Sequence, residues 1–431
     1  MRRLALFSSA ISLALMAAPA LAGTTVITAE RFLDVASGKY VDHPAIFVGD
    51  DGRIDAIADA RTVKWSADTR HIDLSGKTLL PGLIDMHVHL DGPADIGGWR
   101  GLEFVDSFFG MTAVSNARAM LDGGFTTVRN VGSQDRNDIG LMQAINAGYV
   151  VGPRIVPAGY ALGATGGHCD VTGLPPSMER AGKEEGVGDS PEELRYQVRR
   201  QKKYGARVIK VCATGGVFST NDEPGQQQLT AEELAAIADE AHMAGLRVAA
   251  HAHGAAGIKA ALIAGIDTIE HASLVDDEGI RLAVTRKQPA WFAMDIYNTE
   301  YTQAEGKKNG VLEDHLRKDR EIAQAQRDNF RKAFKAGVRM IFGSDAGVMP
   351  HAQVARQFAT MVQYGMTPLD AIRAATLNGA QALGREGDLG IIAKGHFADL
   401  VAVEGDPLSD VRLLEHPAAV IKGGVRIEPA R

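Results

Sequence analysis

His87 and His89 stand two residues apart in LLPGLIDMHVHL, at the end of an apolar run. On a strand, residues i and i+2 share a face, so both imidazoles can reach one metal ion. Neutral imidazole suits zinc, manganese, iron, nickel or copper, and the ligand type alone does not name the metal. Lys210 sits among Val208, Ile209 and Val211 in RVIKVCATGG. A lysine there either snorkels past the strand end or is buried for a purpose. Burial lowers its pKa, and the neutral amine can take up carbon dioxide, giving a carbamate with two oxygens for two cations. His251 and His271 close two more apolar runs, RVAAHAHG and DTIEHAS, one strand–helix–strand length apart. His253 shares a face with His251 and can contact a substrate or its transition state. Asp345, in MIFGSDAG, would alone cap a turn; beside these histidines it can ligate a cation and handle the proton of a bound nucleophile. His168 follows another apolar run in ATGGHCD.

These residues need elements that bring them to one place. From about Ile84 the chain repeats a short apolar strand, a polar or glycine-rich loop and an amphipathic helix. Strands are expected at 83–89, 126–131, 154–159, 207–213, 247–253, 267–272, 290–295 and 339–345. Helices are expected at 190–204, 230–244, 254–264, 275–286 and 315–336. Ser190-Pro191-Glu192-Glu193 and Thr230-Ala231-Glu232-Glu233 read as capped helix starts. Eight strands alternating with helices make an α/β chain with a (β/α)8, TIM-like barrel, whose active sites form at the C-terminal strand ends. Six of the thirteen histidines fall at or just after those ends. Residues 24–80 and the last forty read as short strands, with a hairpin turn at Gly49, Asp50, Asp51 and Gly52. The expectation is a small β-sandwich domain from both chain ends, 23–80 plus 388–431, flanking a barrel over 81–387. Segments 92–105 and 296–314 fit no regular unit and are expected as loops on the active face.

The chain has 431 residues, of which 45% are hydrophobic and 23% charged. That apolar fraction excludes a disordered chain, and two cysteines exclude a disulfide scaffold or a cysteine-rich zinc module. A net charge of −7 without a basic stripe argues against nucleic acid and anionic membranes as partners. Arg2 and Arg3, the apolar stretch Leu4 to Leu15, and Ala20-Leu21-Ala22 read as a signal peptide over 1–22. The expected location is periplasmic or secreted, with no membrane association after cleavage. Export permits a Cys169–Cys212 disulfide, but neither spacing nor context demands it, and Cys212 reads more simply as a small core residue.

The segments LLPGLIDMHVHL, VIKVCATGGV, VAAHAHG, IEHAS, IFGSDAG and KGHFADLVAVEGDPL resemble the amidohydrolase superfamily, in the binuclear-metal branch of imidazolonepropionase-like proteins and Xaa-Pro dipeptidases. The resemblance covers nearly all of the chain after residue 22, and within that branch the chain is similar to secreted bacterial amidohydrolases that hydrolyse ochratoxin A. It implies two divalent ions, usually zinc: one on His87, His89 and Asp345, the other on His251 and His271, with Lys210 as carboxylysine between them. It places His168 and His253 near the substrate. A hydroxide shared by the metals would attack an amide carbonyl, with Asp345 handling the proton and His253 stabilising the oxyanion. The implied reaction is hydrolysis of dipeptides or N-acyl amino acids, carboxypeptidase- or dipeptidase-like, including ochratoxin A to phenylalanine and ochratoxin alpha. A cyclic-amide (imidazolonepropionase-like) or lactone hydrolase on the same metals is the alternative. A mononuclear deaminase does not need Lys210, and a non-catalytic binding protein does not need the full ligand set. The resemblance also implies a homo-oligomer.

Overall fold

The structure is a computed structural model that describes residues 24–178, 183–288 and 290–428. The signal peptide expected over 1–22 lies outside the described residues. Five strands open the chain: β1 (Thr25–Asp34), β2 (Lys39–Asp42), β3 (Pro44–Val48), β4 (Ile54–Asp59) and β5 (Arg70–Pro81). Eight barrel strands follow: β6 (Leu83–Val88), β7 (Phe125–Asn130), β8 (Arg154–Pro157), β9 (Val208–Cys212), β10 (Arg247–Gly254), β11 (Thr268–Leu274), β12 (Trp291–Ala293) and β13 (Arg339–Ile341). The chain ends with β14 (Leu400–Glu404), β15 (Ala419–Lys422) and β16 (Val425–Ile427).

The first five and last three strands share one sheet, ordered β16-β15-β14-β5-β1-β3-β4, with β2 paired to β1. Alternating apolar residues set its register: Ile27 lies opposite Ile46 on β3 and Ile72 on β5, and Leu400 opposite Ile421. These residues pack into one buried cluster that also takes in Leu79, Ala398 and Ala402. The expected hairpin joins β3 to β4, with Gly49 N–H donating to Arg53 carbonyl (2.9 Å). Gly52 sits at φ +75, and a Cβ there would stand 3.0 Å from the Gly423 backbone, so the turn from one chain end is pressed against the turn from the other.

The barrel strands run parallel in two arcs, β6-β7-β8 and β9-β10-β11-β12-β13. Backbone bonds join the arcs at both seams. Met86 N–H donates to Phe342 carbonyl (2.9 Å), Asp345 N–H to His87 carbonyl (2.9 Å) and His89 N–H to Ala346 carbonyl (2.7 Å). At the other seam Arg207 N–H donates to Pro157 carbonyl (2.7 Å), and Leu162 bonds both Lys210 and Cys212 (2.8 Å each). The result is the expected (β/α)8 barrel beside a small β unit.

Local chemistry starts the helices where the sequence indicates. Ser190 caps the helix Pro191–Tyr204 by accepting from Glu193 N–H. Thr230 and Glu233 form a reciprocal capping box on Ala231–Met243. Segment 296–314 differs from expectation: it holds a helix, Asn298–Asn309. Its sequence, NTEYTQAEGKKN, has no apolar stripe, so the helix is set by packing. Thr299 donates to Asp319 (2.7 Å), and a Cβ at Gly306 would stand 2.9 Å from Leu316 on the next helix. Segment 92–105 contains only a short 3-10 turn over Gly98–Glu103.

Arg154 at the start of β8 holds the barrel to the C-terminal strands. It makes a two-pronged bond to Asp399 (2.8 and 3.2 Å) and stacks on Phe397 at 3.6 Å, while Asp399 also accepts from Gly423 N–H (2.7 Å). Asp399→Ala leaves a guanidinium and an amide without their acceptor. It is expected to cost about 3 kcal/mol, read as a lower guanidinium midpoint with unchanged helical content.

Candidate metal centre

His87 lies near the end of β6 and His89 directly after it, Lys210 lies on β9, His251 and His253 on β10, and His271 on β11, while Asp345 follows β13. All seven lie at the C-terminal end of the barrel, and all but His89 are buried. Ligand atoms of His87, His89 and Asp345 lie within 4.8 Å of one another. So do those of His251, His253 and His271, and those of His271, Asp295 and Asp345. The rings of His87 and His271 are 4.9 Å apart, bringing the clusters together.

Hydrogen bonds fix which nitrogen each ring presents. A carboxylate or carbonyl oxygen only accepts, so the ring nitrogen facing it carries the proton. His87 Nδ1 donates to Glu270 Oε2 (2.9 Å), His89 Nδ1 to Gly132 carbonyl (3.1 Å) and His271 Nδ1 to Asp295 Oδ1 (2.9 Å). Each therefore presents a bare Nε2. His251 is turned the other way: Nε2 donates to Gly215 carbonyl (3.1 Å), leaving Nδ1 bare. His87 Nε2 is buried without a hydrogen-bond partner, 3.2 Å from Asp345 Oδ1; His89 Nε2 is 3.4 Å from the same oxygen. Two lone pairs and a carboxylate oxygen at this separation repel unless a proton or a metal cation lies among them, and two imidazoles with a carboxylate are a donor set that fits a divalent metal.

Electrostatics agree with that fit. Burial and the neighbouring imidazoles hold His251 and His253 well below the usual histidine range, so both are neutral donors. Burial opposes charge on both partners, yet His87 and His89 hold the Asp345 carboxyl well below the usual carboxylate range, while Asp345 and Glu270 raise His87 above the usual histidine range. The pocket favours positive charge beside this carboxylate, as a proton or a metal cation would supply. Lys210 is pulled down to about 8, mainly by burial, against the opposing pull of Glu270 and Asp345. Asp345 and His271 also adopt left-handed backbone, at φ 57 and 70. A non-glycine residue pays about 1–3 kcal/mol for such a conformation, typically where function requires it.

His168 packs face to face on His251, with ring centroids 4.0 Å apart. Its Nδ1 meets Ser219 Oγ at 2.8 Å, and Ser219 in turn donates to Asp222 (2.7 Å). The single serine proton goes to the carboxylate, so His168 Nδ1 donates and Nε2 is its free nitrogen. Asp222 also accepts from Gln228 (2.8 Å) and pairs with the buried Lys318 (3.2 Å). Gly216 allows the ring to sit there, since a Cβ would stand 2.2 Å from it. His253 lies beside Ser273, Nδ1 to Oγ 2.8 Å, as near to His251 and His271 as they are to each other.

One cysteine expectation is corrected. Cys212, read as a plain core residue, is bonded to Cys169. The chain turns back between β8 and β9, bringing their Cα atoms within 5.6 Å, well inside the span a disulfide bridges. The bond ties the loop of His168 to the strand of Lys210. Sequence reasoning also missed Glu270, Arg129, Asp295, Asp222 and Lys318. Arg129 and Asp295 carried a usable signal, each being a charged residue in or ending an apolar strand run, as Lys210 is.

A barrel rim that gathers imidazoles from three strands, a buried lysine and a carboxylate is the architecture of a barrel hydrolase. The chain belongs to the amidohydrolase family, whose model matches residues 78–427. It is 34% identical to ochratoxinase of Aspergillus niger over 366 residues, covering 80% of this chain and 75% of that protein. It superposes on a Xaa-Pro dipeptidase with bound methionine in the active site at TM-score 0.86 and 35% identity, over 94% of this chain and 99% of the other. A prolidase complexed with N-methylphosphonate-L-proline matches at TM-score 0.85 and 32% identity, over 94% of this chain and 100% of the other. The chain is an amidohydrolase, acting on amide bonds. Among the described residues no helix is long and apolar enough to cross a membrane.

Ser219→Ala removes the acceptor that orients His168 without touching a proposed ligand. It is expected to lower kcat/KM about tenfold, the value of one such bond, with metal content unchanged in elemental analysis.

Proposed function

We propose that this chain is a binuclear metal-dependent hydrolase that cleaves the amide of a dipeptide or N-acyl amino acid, ochratoxin A among its substrates. The observation that carries this reading is the bare, buried Nε2 of His87 facing Asp345 at 3.2 Å beside a second imidazole cluster. His87, His89 and Asp345 would hold one cation, His251 and His271 the other, and Lys210 as its carbamate would join them. When bound, two divalent ions, most simply zinc, supply an acidified water and polarise the amide carbonyl.

The chain's own residues supply the rest. Asp345 accepts the proton lost by the nucleophile and returns it to the leaving amine. His253 stands where it can donate to the developing oxyanion. His168, held through Ser219, offers Nε2 to the substrate. A neutral lysine is the form that reacts with carbon dioxide, and burial moves Lys210 towards it. Relatives named for ochratoxin and for Xaa-Pro dipeptides support an amide whose amine side is an amino acid. The N-phosphonyl proline of the prolidase complex has that shape too. An imidazolonepropionase, 25% identical over 387 residues, keeps the cyclic-amide reading as the alternative. We further propose export with loss of residues 1–22, a homo-oligomeric assembly and a domain division at 81 and 388.

The test is elemental analysis with an amine-release assay over N-acyl amino acids, Xaa-Pro dipeptides, ochratoxin A, cyclic amides and lactones. The expected result is about two ions per chain and release of a free amino acid. Lys210→Ala is expected to lose at least one ion and lower kcat by about a hundredfold or more. One ion per chain with Lys210→Ala fully active would sink the binuclear reading. Turnover of cyclic substrates alone would select the alternative.

A further inference from the structure

Among the described residues Arg129 on β7 is the largest side chain buried to below 2% exposure, and Glu270 on β11 is fully buried beside it. Every group of the pair is engaged. Arg129 Nε donates to Met86 carbonyl (2.6 Å), Nη1 to Thr268 Oγ1 (2.9 Å) and Nη2 to Glu270 Oε1 (2.7 Å). Thr268 also donates to Glu270, and the other carboxylate oxygen accepts from His87 Nδ1 (2.9 Å). A buried ion pair is a costly way to fill a barrel interior, and apolar residues of the same volume are often as stable. Stability alone therefore does not explain it, whereas its hydrogen bond to His87 at the rim does; the same carboxylate also acts electrostatically on Lys210.

We propose that Glu270 and Arg129 are a positioning pair for His87: Glu270 fixes the imidazole with Nδ1 protonated and Nε2 bare, and Arg129 orients Glu270 and supplies its counter-charge. This rests on the reading of His87 as a metal ligand. The other imidazoles show what is special here. His271 leans on Asp295, whose further partners are the neutral amides of Gln326 (2.8 Å) and Asn298 (2.5 Å). His89 and His251 lean on backbone carbonyls. Each proposed cation site thus has one imidazole backed by a carboxylate and one backed by a carbonyl, and only His87 has a guanidinium behind its carboxylate. Removing the charge of Glu270 then does two things: it frees the ring, and it leaves Arg129 an uncompensated cation next to a cation site. Removing both charges undoes the second effect and keeps the first.

The experiment titrates the chelator-stripped full-length chain with Co(II), followed by visible absorption and elemental analysis. Wild type is expected to take up two ions. Glu270→Gln is expected to weaken one of them about 10–100-fold and leave the other unchanged. The double variant R129M/E270Q is expected to regain at least threefold of that loss. Glu270→Asp, which keeps the charge at shorter reach, is expected to fall between wild type and Glu270→Gln, and it carries the test if the glutamine variant does not fold. Unchanged affinity for both ions in E270Q and E270D overturns the pairing with His87. Equal loss of both ions, or a double variant no better than E270Q, overturns the counter-charge role. A wild-type chain that binds one ion overturns the binuclear reading instead, and the same comparison on that ion still judges the pair.

Discussion

Everything at this rim depends on a constraint of imidazole chemistry: a neutral ring has one donor and one acceptor nitrogen, and a metal takes only the acceptor. To hold the proposed metals, four rings from three strands must each turn the right nitrogen inward. The barrel does this by giving each outward nitrogen an acceptor that cannot donate: Glu270, Asp295, or the carbonyls of Gly132 and Gly215. His251 uses the opposite nitrogen from the other three because the Gly215 carbonyl lies on its Nε2 side. Strand register brings the rings near one another; these acceptors decide what the rings present.

The same arrangement burdens the interior with charge. Lys210, Glu270, Arg129, Asp222 and Lys318 are all buried, and such groups persist only when paired or bonded. Glu270 meets Arg129, and Asp222 meets Lys318. Lys210 is the exception. Among the described residues its amine makes no bond to a carboxylate, and burial lowers its pKa to about 8 despite the opposing pull of Glu270 and Asp345. Asp85 is buried too, with one carboxylate oxygen unpartnered among the described residues, and burial pushes its carboxyl up to about 7.

Much of this was legible in the chain itself. The barrel strands stand out because each is a short apolar run ended by glycine or a polar residue, and strand ends fall within a few residues of those expected. His87, His89, His251, His271, Asp345 and Lys210 were visible because they interrupt or end those runs. Arg129, Glu270 and Asp295 also interrupt or end such runs, and what stayed hidden was which residue each one backs. Glu270 matters to His87 across 183 residues of chain, and Asp222 to Lys318 across 96. Neither separation leaves a local pattern. The helix Asn298–Asn309 escaped for a related cause: its polar sequence becomes helical through packing on its neighbour. The Cys169–Cys212 bond depended on a chain reversal that no spacing revealed.

The seam between β6 and β13 carries a consequence of its own. Only a few backbone bonds join the first barrel strand to the last, and His87 and His89 lie on one side of it with Asp345 on the other. Parting the cylinder there would also part the three donors. A cation held by all three, as proposed, would bind across the seam and so stabilise the closed barrel by mass action. Catalytic competence and mechanical closure would then be one equilibrium, read at two places in the fold.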